Sequence, residues 1–145
     1  MRWILTWLGV GGAFGVLDAL WLTQMFDRLY KPALGPLLAP GLRLDAAGAF
    51  YLMYVTGLVL LAVRPAVLSG AGPGAAAMRG AGLGAFAYAT YDLTNQATLA
   101  IWPAHVSAID IAWGTFASAA ASAAGALAWR WGAPRGGRGQ GLAGR

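Results

Sequence analysis

The chain contains no cysteine and no glutamate, and it has one histidine. Without cysteine, disulfides and thiolate-held metals are excluded. A single His105 with scattered aspartates is not a metal-ligand set, so neither a metal nor a cofactor is expected, and His105 reads as an interfacial side chain. No Ser-His-Asp set, phosphate-binding loop or G-x-G-x-x-G context is present, so no established catalytic motif supports an enzyme. Charge is also scarce. Only 10% of residues are charged, against about 25% in a typical soluble domain.

Apolar residues take the place of charge. The chain is 59% hydrophobic over 145 residues, with a mean hydropathy of +0.60, and its apolar runs are long and nearly charge-free. This is the composition of an all-α integral membrane protein. Four segments can each cross about 30 Å of hydrocarbon as a helix of about 20 residues: residues 3–25, 46–63, 77–101 and 104–131. They predict one domain, residues 1–131, built as an antiparallel bundle of four transmembrane helices. Residues 132–145 predict a basic, Gly-rich disordered tail. Arg2 and the apolar run after it resemble the start of a signal peptide. No clean small-x-small cleavage site follows, so a retained first helix is expected.

The connections differ in character. RLYKPALGPLLAPGLRLD spaces Pro32, Pro36 and Pro40 four residues apart, which predicts an irregular loop. RPAVLSGAGPGAAAMR predicts a flexible link, and Trp102-Pro103 a tight turn. Four spans place both termini on one side. Seven arginines lie there, and Arg28, Lys31 and Arg43 lie on the other, so the positive-inside rule puts both termini in the cytoplasm. Trp3, Trp7, Trp129 and Trp131 would form the inner aromatic belt, and Trp21, Tyr30 and Trp102 the outer one. The net charge of +5 is absorbed by this orientation signal, and no nucleic-acid partner is expected. The expected partner is the lipid bilayer. Small residues recur every four positions at Gly11/Gly15, Gly80/Gly84 and Ala117/Ala121/Gly125. Such stripes allow close helix packing within the chain, in a homo-oligomer or in a larger membrane complex.

All five acids are aspartates. Asp27 and Asp45 flank spans, whereas Asp18, Asp92 and Asp110 lie inside them. At a rise of 1.5 Å per residue they sit about 10, 13 and 9 Å below the ends nearest the first loop. Tyr51 and Tyr54 of the second span reach about 8–12 Å. Each buried acid has a donor three residues on: Trp21, Asn95 and Trp113. Tyr88, Asp92, Asn95 and Gln96 share one face of the third span, so that helix belongs at the centre of the bundle. The pattern Asp-x-x-Trp-x-Thr occurs at Asp18–Thr23 and again at Asp110–Thr115.

LDALWL, FYLMYVTG, RPA, GAFAYATYDLTNQATL, WP and IDIAWG together resemble a bacterial family of predicted four-helix membrane proteins, filed as domain of unknown function twenty-one seventy-seven. The likeness runs from about Gly15 to about Ser118. It implies a small inner-membrane protein and no particular reaction. Gln96 departs from the family pattern, which carries an apolar residue there, and the Gly-rich tail is particular to this chain.

Two readings of the acid layer compete. In one, these groups bond to one another and hold the helices together, at an average of only about 0.6 kcal/mol per interhelical bond. In the other, three carboxyls at one level with no basic residue beside them mark a site for a proton, a small cation or a small polar ligand. That site would comprise Asp18, Trp21, Tyr51, Tyr54, Tyr88, Asp92, Asn95, Asp110 and Trp113. The alternatives are an accessory subunit of a membrane complex and a membrane enzyme acting on a lipid or isoprenoid.

Overall fold

The computed structural model describes residues 1–132, and residues 133–145, which carry most of the expected tail, lie outside the described residues. Four helices form an antiparallel bundle: α1 (Arg2–Leu37), α2 (Leu44–Leu68), α3 (Gly72–Thr98) and α4 (Ala104–Trp131). Among the described residues there is no strand. Three of the four (α1, α2 and α4) are long and apolar enough to cross a membrane. At 27 residues α3 is as long, but glycines and the polar YDLTNQAT end dilute its apolar character.

Two of the three prolines of the first connection do not produce an irregular loop. Helix α1 passes Pro32 and Pro36 to end at Leu37, 12 residues beyond the expected end at Met25 (37 − 25), and only Pro40 falls in the irregular link 38–43. The physical reason is a widened π turn at Phe26–Tyr30, followed by Pro32 at the start of the next helical turn. Proline lacks an N–H and its ring crowds the carbonyl four residues earlier. That carbonyl belongs to Arg28, inside the widened turn, which opens the room the ring needs. Helix α2 repeats the solution: a π turn at Leu58–Val63 precedes Pro65, and the helix continues to Leu68.

The expected flexible second link is also shorter than the sequence suggested. Only residues 69–71 separate α2 from α3, and Gly70 and Gly72 take the positive φ angles of 75° and 80° that the reversal requires. A five-residue link, 99–103, joins α3 to α4. Links this short force antiparallel neighbours.

Helices α3 and α4 pack most extensively, followed by α1 and α4. Gly80 and Gly84 allow the closest approach: a Cβ at Gly84 would run into the Gly114 carbonyl, and one at Gly80 into Ser122 and the Ser118 carbonyl. The small-residue stripe of α3 is therefore consumed inside the chain, together with Ala117, Ala121 and Gly125 of α4. The core adds Val10, Phe14, Val55, Leu58, Val59 and Val63. Outside this core, Ile4, Leu8, Val16, Leu20, Leu61, Phe86 and Phe116 point outward. Apolar side chains all round suit a bundle solvated by lipid, where no water rewards a polar exterior.

Candidate functional site

The helix ends set the depth of the acid layer. Asp92 lies six residues before the end of α3, Asp110 six residues into α4, and Tyr51 seven residues into α2. At 1.5 Å per residue these depths agree to within about 2 Å. Asp18 and Asp110 are each 8% exposed and Asp92 is fully buried. The structure therefore brings all three sequence-predicted acids into one buried layer.

The partners are not the expected ones three residues on. Asp18 accepts a short hydrogen bond from the Tyr51 hydroxyl of α2. Asp110 accepts one from the Tyr30 hydroxyl of α1. Trp21 donates to the Tyr30 oxygen at 2.8 Å rather than to Asp18. Neighbouring helices supply better-aimed donors than the same helix does, because side chains of one helix diverge from its axis. Tyr30, assigned from sequence to the outer aromatic belt with Trp21, is instead a member of the site. The widened turn carries α1 on past Met25 and places this phenol over α4.

The two Asp-x-x-Trp motifs meet each other. Trp21 and Trp113 stack face to face, with centroids 4.3 Å apart and planes 7° from parallel. Because α1 and α4 run in opposite directions, each motif's tryptophan falls beside the other motif's aspartate. Trp21 reaches Asp110 through Tyr30, and the Trp113 indole lies beside Asp18. Thr23 and Thr115 each return their hydroxyl to the carbonyl four residues back, which satisfies them within their own helices.

Other predicted residues take supporting positions. Tyr54 bonds to Ser118 at 2.7 Å, and its ring meets Tyr88 edge-on at 6.3 Å. Tyr88 packs its ring against Gly114. Gln96 accepts from Ser107 at 3.0 Å, and Ser107 accepts from Trp102 at 3.2 Å. This chain ties the end of α3 to the start of α4.

Asp92 differs from the other two acids. Both of its carboxyl oxygens are buried and neither has a hydrogen-bond partner. The Asn95 amide nitrogen and the Trp113 indole nitrogen are buried and unpartnered as well. Buried polar groups in folded proteins are almost always paired, so each exception calls for an explanation. Among the described residues no group of three such ligands converges as a metal site would require. The layer thus holds two acids that accept from phenols and one, Asp92, without a hydrogen-bond partner among the described residues.

The class defined by this architecture is a helical membrane bundle with a polar layer built into its interior. Residues 3–127 match the family described as "Predicted membrane protein (DUF2177)", and the chain belongs to that family. Comparison with curated proteins and with solved structures finds no match.

Proposed function

We propose that the chain binds, and passes through its interior, a proton or a small cation at Asp92. The observation that carries this reading is the fully buried Asp92 carboxyl with neither oxygen bonded. A carboxyl at membrane depth costs about 2.5–3.5 kcal/mol even by the lower scales, and it is retained where it does work. Asp18 and Asp110 already have donors in Tyr51 and Tyr30. Asp92 is left to take a proton or a cation, with the Asn95 amide beside it on the same helix face. The arginine distribution supports an inner-membrane location with both termini cytoplasmic, and the acid layer then opens toward the outer side.

The test is uptake in proteoliposomes. A pH-sensitive dye and a panel of alkali-metal and small ammonium ions are compared between the native chain and Asp92→Asn. Loss of uptake or of ligand retention in the variant is the expected result. Transport and binding unchanged by Asp92→Asn would sink the proposal.

A second reading rests on the outward face of α3. Phe86, Ala89, Thr90, Leu93, Thr94 and Ala97 line a shallow groove along the least apolar helix of the bundle. An accessory role would place a helix of a larger membrane complex there. Purification in mild detergent from native membranes distinguishes the two, since a single homogeneous species counts against the complex.

A further inference from the structure

The opposite end of the bundle carries an independent feature. All five carboxyl side chains belong to the acid layer or, as Asp27 and Asp45 do, to the stretches of α1 and α2 beyond it, so the end that bears the N-terminus has none. That end carries Arg2, Arg64, Arg79 and Arg130, and among the described residues no salt bridge joins any of them to an acid. Positive charge accumulates there without compensation from the chain's own side chains.

Two of these arginines frame a pocket of about 210 Å³ lined by Arg2, Val67, Gly70, Gly72, Trp129 and Arg130. Arg2 is held in place. Its Nε and Nη2 both donate to the Trp129 carbonyl at 3.3 Å, and its guanidinium lies 4.0 Å from the centre of the Trp129 ring. A guanidinium has five N–H donors, so three remain for a ligand. Arg130 closes the other side and lies against Gly72, where a Cβ would come within 2.6 Å of its Nη2. Gly72 opens α3 and lines the pocket, so the N-terminus of a 27-residue helix lies at the same place. Val67 and Trp129 supply an apolar wall beside the charges.

We propose that this pocket binds a phosphate group, with the two guanidinium groups as its recognition elements. Guanidinium pairs match phosphate oxygens in geometry as well as charge. The apolar wall and the position at the end of the bundle suit the phosphate of an anionic lipid headgroup, and a soluble phosphate offers the same oxygens. This site stands apart from Asp92 and does not depend on what the acid layer carries.

The experiment is native mass spectrometry of the full chain released from micelles, with phosphatidylglycerol, phosphatidylcholine or inorganic phosphate added in separate arms. The native chain is expected to retain phosphatidylglycerol, or inorganic phosphate if the source is soluble, through repeated activation. Arg130→Gln, at an exposed position that does not threaten folding, should weaken retention about tenfold, the effect of one lost charge-assisted hydrogen bond. Arg2→Lys/Arg130→Lys keeps the charge and should recover part of it. Arg64→Gln/Arg79→Gln, which removes twice the charge of Arg130→Gln outside the pocket, should leave it unchanged. The proposal is overturned if neither phosphate source is retained, if Arg130→Gln retains as much as the native chain, or if the distant pair lowers retention equally.

Discussion

The contact between α3 and α4 changes character along its length. Toward the termini it is made of Gly80, Gly84, Ser118 and Ser122, and the two backbones nearly touch. Toward the acid layer α3 carries Tyr88, Asp92 and Asn95 and α4 turns Trp113 onto Trp21 of α1, and three of these four carry buried polar atoms without partners among the described residues. The first half is packed for proximity. The second gives up pairing that a purely structural interface would have completed, and such local departures from consistency are where function is expected.

The largest effect should come from breaking the close half. Gly84→Leu forces a side chain into the Gly114 carbonyl and Ser118, and should destabilise the bundle by about 3 kcal/mol, measured by reversible unfolding in mixed micelles. Tyr51→Phe removes the donor to Asp18 and leaves a buried carboxyl unpaired. It should cost about 1–3 kcal/mol in the same assay, and Tyr30→Phe should do the same through Asp110. Asp92→Asn should fall below both, within about 1 kcal/mol of the native chain, because it breaks no hydrogen bond. A loss as large as that of Tyr51→Phe would mean that Asp92 is structural. The smallest change is expected for Gln96→Leu, which removes one interhelical bond worth about 0.6 kcal/mol and should leave any ligand affinity at Asp92 untouched.

Much of this architecture was legible in the residues. Apolar run lengths located four helices, and counting residues along α3 and α4 placed Asp92 and Asp110 at one level, whereas Asp18 joined them only by a count from Met25, which is not the end of α1. The partners of those acids were not legible, because a spacing of three within one helix says nothing about donors arriving from another. Tyr30 escaped for a related reason. Pro32 and Pro36 signalled a broken helix, yet a widened turn before Pro32 carries α1 onward and turns an apparent belt residue into the partner of Asp110. The repeat of Asp-x-x-Trp-x-Thr was visible as a pattern, but its meaning required antiparallel helices bringing the two tryptophans into a stack.

The segregation of charge has a consequence in the electric field of a membrane. With Arg2, Arg64, Arg79 and Arg130 at the end that bears the N-terminus and no acid side chain beside them, and with five aspartates outnumbering Arg28, Lys31 and Arg43 toward the other, the molecule is a dipole along the bilayer normal. An energised membrane acts on each displaced elementary charge with about 2.3 kcal/mol per 100 mV. In the proposed orientation, with the positive end on the negative side, the membrane potential would hold the bundle in place and would draw a cation from the outer side toward Asp92.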